Sequence, residues 1–167
     1  MGKYIYLDID GVIATDATYK AARRGPHQKD PMSNAFLLQL LDPTKIEMLN
    51  TITQETGATF ILSSTWRHLR STEGWSTPAL LKLAGLKADF EGMTGTDLGN
   101  RGAELMENIH LRGLGLEDYI IIDDDPTAAD FLKRIGHKGS RWIQTSEKTG
   151  LAMKHVTKAI NLMKDSQ

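Results

Sequence analysis

Short β-type runs alternate with helical patterns along the whole chain, and this alternation constrains the fold more than any other feature. The clearest run spans residues 119–122 (YIII), a continuous apolar stretch expected of a strand that helices cover on both faces. Strands that alternate with helices are typical of βαβ units, whose strands lie parallel. The sequence therefore predicts an α/β fold built on a parallel sheet.

The individual elements are predicted from apolar spacing and from residues that begin and end helices. The predicted strands cover residues 3–8, 59–62, 119–122 and 141–143, and residues 90–94 are a further candidate strand. Helices are predicted over residues 43–56, 77–84, 101–112, 125–135 and 150–164. The first of these begins either with Pro43 in its first turn or with a capping box of Thr44 and Glu47.

Residues 14–41 form the longest connection in this scheme, and loops of more than about 12–15 residues are usually lids or binding loops. This stretch contains Lys20, Arg23, Arg24, His27 and Lys29, followed by an apolar segment at residues 36–41. We expect an irregular, lid-like insertion here, and a second short insertion at residues 66–100.

Composition limits the classes of function that the chain can have. A length of 167 residues favours a single domain over residues 1–167. The absence of cysteine excludes thiolate nucleophiles and Cys-based zinc sites, and a net charge of −1 argues against bulk coating of DNA. No signal-peptide pattern and no apolar run near the ~18 residues of a spanning helix are present. We therefore expect a soluble cytoplasmic protein with no membrane partner.

Polar side chains follow three of the predicted strands. Asp8 and Asp10 follow the first strand, Ser63 and Ser64 the second, and residues 123–125 (DDD) the clearest one. Ligands of open parallel sheets bind outside the carboxyl ends of the strands, so these groups should converge. Two unit charges 4 Å apart repel by about 4 kcal/mol at an effective dielectric of 20, which makes a divalent cation the simplest remedy. All-oxygen ligands favour Mg²⁺ over zinc.

These residues resemble the four motifs of the haloacid dehalogenase (HAD) superfamily. Residues 4–12 (YIYLDIDGV) resemble the first motif, Ser63 the second, Arg101 the third, and Asp123 with Asp124 the fourth. All four occur in family order and cover nearly the whole chain. The resemblance implies a three-layer, Rossmann-like parallel sheet with helices on both faces and minimal cap insertions.

A narrower resemblance is carried by residues 62–67 (LSSTWR), by the pair Arg101-Gly102 and by the short length. These features are similar to the small HAD domains of bacterial and phage RNA-repair proteins. They are more distantly similar to the 3′-phosphatase domain of polynucleotide kinase–phosphatases. This resemblance implies a phosphorylated nucleotide or nucleic-acid end as the substrate.

The resemblance to the superfamily also implies catalytic roles. Asp8 would attack phosphorus to form an aspartyl-phosphate, and Asp10 would protonate the leaving oxygen and then activate water. Ser63 and Arg101 would hold the oxygens of the transferring phosphoryl group.

The metal site implied by the resemblance consists of Asp8, the Asp10 carbonyl, and Asp124, with Asp123 in support. A third acid, Asp125, directly follows the pair, and we assign it first to capping the next helix. Which of Asp124 and Asp125 reaches the metal is left open by the sequence.

In the superfamily that the chain resembles, members with small cap insertions leave the site open to macromolecules, so the resemblance implies an open cleft here. The candidate substrate-binding residues are Gly11, Ser64, Trp66, Arg67, Arg23 and Arg24. Arginines can track a phosphate backbone, and an aromatic ring such as Trp66 can stack on a base. Two plainer interpretations compete: the basic run is a solvated face, and Trp66 packs the helix after the second strand.

The leading hypothesis is a Mg²⁺-dependent phosphohydrolase that removes a terminal phosphate from a nucleotide or a nucleic-acid end. The first alternative is a phosphatase of a small phosphorylated metabolite. The second is a phospho-acceptor signalling domain, which normally carries an acidic pair after the first strand and a lone acceptor Asp later. The order of the acids in this chain is the reverse.

Overall fold

The computed structural model describes residues 2–96, 98–134, 136 and 141–164, and within them it contains one five-stranded parallel sheet. The strands are β1 (Tyr4–Leu7), β2 (Thr59–Leu62), β3 (Phe90–Met93), β4 (Tyr119–Asp123) and β5 (Trp142–Gln144). Their order across the sheet is β3-β2-β1-β4-β5. The predicted parallel α/β fold is confirmed, and the candidate strand near residue 90 is present.

Seven α-helices and one 3₁₀ helix belong to the described residues. The α-helices are α1 (Asp16–Ala22), α2 (Asn34–Leu40), α3 (Pro43–Thr56), α4 (Thr77–Leu83), α5 (Arg101–Leu111), α6 (Pro126–Arg134) and α7 (Met153–Lys164). The 3₁₀ helix spans Thr65–His68, directly after β2.

Helix α3 begins by the first of the two predicted routes. The Asp42 side chain accepts a hydrogen bond from the Thr44 amide at 2.9 Å, and Pro43 lies in the first turn. A capping box of Thr44 and Glu47 is therefore not the start of this helix. Gly57 ends it with a φ of 67°.

The prediction of an irregular stretch over residues 14–41 was wrong, because α1 and α2 lie within it. Thr15 and Thr18 form a capping box at the start of α1, and the Ser33 side chain caps α2 by accepting from the Phe36 amide at 3.2 Å. Each helix has only seven residues, which is too short for apolar spacing to show clearly.

Smaller differences concern the ends of elements. Strand β5 starts at Trp142 rather than at Arg141, and α7 starts at Met153 rather than at residue 150. The predicted end of α6 at Ile135 lies outside the described residues.

Helices cover both faces of the sheet. On one face, Ile5 and Leu7 of β1 belong to an apolar cluster with residues of α2, α3 and α7. On the other face, Tyr6 of β1 and Ile121 of β4 pack with residues of α5 and α6. This is the predicted three-layer arrangement. No helix in the described part of the chain is long and apolar enough to cross a membrane.

The strand order reverses at β1, which lies between β2 and β4. Leu7 pairs with Leu62 on one side and with Ile122 on the other. The Asp8 amide donates to the Ile122 carbonyl at 3.1 Å, and the Ser63 amide donates to the Leu7 carbonyl at 2.8 Å. The backbone therefore brings the residues that follow three strands to one level, at the place where open α/β sheets bind ligands.

Replacing Gly102 with alanine should destabilise the folded chain, because the new methyl group would lie 2.7 Å from Phe131 Cδ1 of α6. Alanine gains about 1 kcal/mol of helix propensity over glycine, whereas overpacking costs about 1–3 kcal/mol. We expect a net loss of about 1 kcal/mol in the free energy of unfolding, measured by urea denaturation. In a Phe131→Ala background the same substitution should be neutral or stabilising. A stability gain from Gly102→Ala alone would contradict the close approach of α5 and α6.

Candidate active site

Three carboxylates meet at the carboxyl ends of β1 and β4. Asp8, Asp123 and Asp124 each present an oxygen within 4.8 Å of the others. Asp8 and Asp123 are buried, and Asp124 is partly buried. An all-oxygen group of this kind can hold a hard divalent cation.

Arg101, the first residue of α5, provides one positive charge to this cluster. Its Nη1 atom lies 3.2 Å from Asp8 Oδ2 and 2.8 Å from Asp123 Oδ2. The same nitrogen donates to the Ser63 carbonyl at 2.7 Å. Arg101 thus joins the ends of β1, β2 and β4, but one cation does not balance three carboxylates.

The excess negative charge shifts the pKa values of the cluster. Burial, followed by repulsion from Asp8, raises the pKa of Asp123 to about 8 and that of Asp124 to about 6. Burial also raises the pKa of Asp8, against the opposing attraction of Arg101. A further cation would reduce the repulsion between the three carboxylates. The oxygen ligands and the negative charge of the cluster therefore both fit a bound metal ion.

The structure places Asp124, rather than Asp125, in the cluster. Asp125 Oδ1 accepts from the Thr127 amide at 2.8 Å and from its hydroxyl at 2.7 Å, as a cap of α6 does. Asp124 lies against Gly11, where a Cβ atom would come within 2.1 Å of Asp124 Oδ2. Gly11 also has a φ of 68°, so glycine is required there on two grounds.

Asp10 lies outside the three-carboxylate cluster and accepts two hydrogen bonds. The Tyr19 hydroxyl donates to Oδ1 at 2.7 Å, and the Trp66 indole Nε1 donates to Oδ2 at 3.1 Å. Burial and the Asp10 carboxylate raise the pKa of Tyr19, which keeps its hydroxyl a donor. Trp66 is 5% exposed, so it packs within the fold and also fixes Asp10.

Tyr19 is a site residue that the sequence analysis missed. It lies in α1, within the stretch predicted to be irregular. The capping box of Thr15 and Thr18 was the available signal, because it starts a helix that brings Tyr19 back toward Asp10.

The two serines after β2 differ in their partners. Ser64 Oγ accepts from the Trp66 amide at 3.3 Å. Ser63 Oγ is buried and has no hydrogen-bond partner among the described residues. A buried hydroxyl without a partner costs free energy, so Ser63 Oγ is available to a ligand.

The remaining predicted substrate-binding residues lie in different surroundings. Arg67 is buried, with Nη2 3.0 Å from Glu104 Oε2 and Nη1 donating to the Ser64 carbonyl at 2.8 Å. Arg23 and Arg24 are exposed, and the Arg23 guanidinium lies 5.8 Å from the centroid of the Tyr19 ring. Arg23 therefore lies beside Asp10, whereas Arg67 forms a buried ion pair with Glu104.

The parallel sheet covered by helices on both faces, the carboxylate cluster at its switch point and the family that the chain matches together identify a HAD-type hydrolase of the phosphatase class. Residues 4–156 match the family described as the HAD domain in Swiss Army Knife RNA repair proteins, and the chain belongs to that family. The predicted superfamily and enzyme class are confirmed.

The chain is also similar to a solved structure, that of a predicted HAD-like family hydrolase from Porphyromonas gingivalis. The sequence identity is 13%, the TM-score is 0.46, and the likeness covers 88% of this chain and 92% of the other. The family assignment does not rest on this likeness. No curated protein matches the chain.

Mg²⁺ should stabilise the chain more at high pH than at low pH. A carboxyl group whose pKa is higher in the folded chain than in the unfolded chain favours folding at low pH, and this benefit is lost as pH rises through the folded pKa. The values for Asp124 and Asp123 place that loss between about pH 4 and pH 8. Mg²⁺ should then raise the Tm by about 3 °C or more at pH 8 and by less at pH 5.

Thermal unfolding with and without Mg²⁺ at both pH values checks this expectation. Asp124→Asn should reduce the gain from Mg²⁺ at pH 8, whereas Asp125→Asn should retain it. Equal gains at both pH values, or loss of the gain in Asp125→Asn alone, would contradict the assigned cluster.

Arg67→Met should lower the free energy of unfolding by about 3 kcal/mol, because Glu104 would remain buried without its partner. The double variant Arg67→Met/Glu104→Met should recover much of that loss, as measured by urea denaturation. Phosphate release by the refolded double variant distinguishes a structural role of Arg67, as the partner of Glu104, from the predicted role in substrate binding. Retained turnover supports an internal role, whereas a stable but inactive double variant would place Arg67 in substrate binding.

Proposed function

We propose that this chain is a Mg²⁺-dependent phosphohydrolase that removes a terminal phosphate from a nucleotide or nucleic-acid end through an aspartyl-phosphate. The observation that carries the proposal is the environment of Asp8. Its carboxylate is buried at the switch point of the sheet, beside Asp123, Asp124 and Arg101.

Asp8 and Asp124 are the residues that would hold Mg²⁺, with the Asp10 carbonyl as a further ligand and Asp123 in support. Their oxygens are of the type that Mg²⁺ prefers. When bound, Mg²⁺ would offset the repulsion between Asp8 and the oxygens of the substrate phosphate.

Neighbouring groups would orient Asp8 as a nucleophile. Its Oδ1 accepts from the Ile9 amide at 2.7 Å, and its Oδ2 lies 3.2 Å from Arg101 Nη1. In the first step an Asp8 oxygen forms a bond to phosphorus, and the bond from phosphorus to the ester oxygen breaks. Asp10 gives its proton to that departing oxygen, so the alcohol leaves neutral.

The second step regenerates the carboxylate of Asp8. Asp10, now ionised, takes a proton from water while the water oxygen forms a bond to phosphorus. The bond from phosphorus to the Asp8 oxygen breaks, and inorganic phosphate is released. Tyr19 and Trp66 would hold Asp10 in one orientation for both transfers, since each of its oxygens has one donor.

Ser63 and Arg101 would hold the phosphoryl oxygens in both steps. Ser63 Oγ has an unused hydrogen-bonding capacity, and Arg101 carries further N–H groups beyond the nitrogen that faces Asp8 and Asp123. Phosphoryl transfer depends mainly on positioning and charge stabilisation, which these two groups supply.

The substrate class is supported by the family and by the surroundings of Asp10. The family is that of a domain found in RNA repair proteins. A cavity of about 360 Å³ beside Asp10 is lined by two basic residues, Lys20 and Arg23, and by two further acids, Asp16 and Glu147. Lys20 and Arg23 are exposed and can contact phosphates beyond the one at Asp8, which suits a polyanionic end better than a small metabolite with a single phosphate.

Asp8→Asn should lower Mg²⁺-dependent phosphate release by at least about 10³-fold, because an amide cannot act as the nucleophile. The substrates to compare are 3′- and 5′-phosphorylated oligonucleotides, mononucleotides and sugar phosphates. Asp130→Asn, which changes an exposed acid of α6, is the matched control and should retain activity.

Full activity in Asp8→Asn would refute the assignment of the nucleophile. Higher kcat/KM for sugar phosphates than for every nucleotide would favour the small-metabolite alternative. A phosphorylated Asp8 that persists for minutes to hours would favour a phospho-acceptor domain.

A further inference from the structure

A second cavity, of about 390 Å³, lies between the α1–α2 segment and the 3₁₀ helix that follows β2. Its lining is largely aromatic and aliphatic, with polar groups at the edge; the lining residues used below are Tyr19, Arg23, Gln28, Met32, Phe36 and Trp66. We call it the α1–α2 cavity. Neither the family assignment nor the proposed catalytic steps give it a role.

The α1–α2 cavity shares walls with the candidate active site. Tyr19 and Trp66 line it, and the same two side chains donate hydrogen bonds to Asp10 at 2.7 and 3.1 Å. Tyr19 and Arg23 also line the cavity beside Asp10. A ligand in contact with the two rings therefore lies one side chain away from the group that would protonate the leaving oxygen.

Two hydrogen bonds fix the segment that carries Met32 at the edge of the cavity. The Thr72 amide donates to the Met32 carbonyl at 2.8 Å, and the Asn34 amide donates to Glu73 Oε2 at 2.8 Å. Phe36 is 6% exposed at the buried side of the cavity, whereas Met32 is 41% exposed at its edge. The cavity is thus preformed and reachable from solvent.

The chemistry of the lining favours a nucleobase over other occupants. Bases stack on aromatic rings and on arginine planes, which the partly buried Tyr19 and the exposed Arg23 offer here, while Phe36 and Trp66, 6% and 5% exposed, add apolar wall. Gln28 at the exposed edge can pair with base polar atoms. A volume near 390 Å³ is in the range of small-molecule sites, and the wall shared with the phosphate site fits a ligand that carries both groups.

We infer that the α1–α2 cavity binds the nucleobase of the nucleotide whose terminal phosphate is removed at Asp8. This inference rests on the proposed function. It makes the α1–α2 segment a specificity element, with Tyr19 and Trp66 facing the base on one side and Asp10 on the other.

The first experiment tests base binding without catalysis. Adenosine and uridine, which carry no phosphate, are titrated into the Asp8→Asn chain, and the Nε1–H resonance of Trp66 is followed by NMR. We expect a saturable shift of that resonance. Met32→Trp should fill the cavity edge and abolish the shift, whereas Met153→Trp, a matched change at an exposed residue of α7, should leave it intact.

The second experiment tests the cavity during turnover. A phosphorylated nucleotide should have a kcat/KM at least about 10-fold above that of ribose phosphate, which lacks the base. Met32→Trp should lower the value for the nucleotide by about 10-fold and change that for ribose phosphate by less than about 2-fold. Met153→Trp should change neither.

The two experiments separate the failure of this inference from that of the proposed function. If no substrate releases phosphate, the proposed function is overturned. The nucleoside titration then still tests whether the α1–α2 cavity binds a base. Turnover with equal kcat/KM for nucleotide and ribose phosphate overturns the base site while the function stands. A missing or unsaturable shift of Trp66, or one that survives in Met32→Trp, also overturns the base site.

Discussion

The arrangement of the site depends on one interaction, the contact of Arg101 with Asp8 and Asp123 at the ends of β1 and β4. Arg101 Nη1 also donates to the Ser63 carbonyl, so a single nitrogen contacts residues at the ends of β1, β2 and β4. Burial of the carboxylates would be costly without it, because an unpaired buried charge is strongly destabilising. With it, the cluster still carries an excess of negative charge, and this excess is what suits it to a cation.

Packing of α5 against α6, on the face of the sheet that carries Tyr6 and Ile121, places Arg101 at that point. Gly102 lets α5 approach Phe131 of α6 closely, and α5 and α6 share one apolar cluster with β1 and β4. The position of Arg101 is therefore set by the contact between α5 and α6. Changes in that contact should disturb the site through the position of α5.

The sequence was most informative where the backbone alone decides position. Asp8 and Ser63 directly follow apolar strands and Asp123 ends one, and parallel pairing brings the ends of neighbouring strands together whatever the side chains do. The contacts of Asp10 with Tyr19 and Trp66 were not predicted, since they depend on the docking of two short helical segments. The ion pair of Arg67 with Glu104 was not predicted either, because the two residues are 37 positions apart in the sequence. The sequence pattern of an arginine after a strand is the same whether its side chain faces a ligand or the interior.

The central claim is that Asp8 becomes covalently phosphorylated during turnover, and rapid-quench trapping tests it most directly. The chain is mixed with a ³²P-labelled terminal phosphate on a nucleotide in the presence of Mg²⁺, quenched in acid within one turnover, and digested to peptides. We predict label on the peptide that contains Asp8, and its loss as inorganic phosphate when unlabelled substrate is added before the quench. Phosphate release without any protein-bound label, or label on a different residue, would contradict the account.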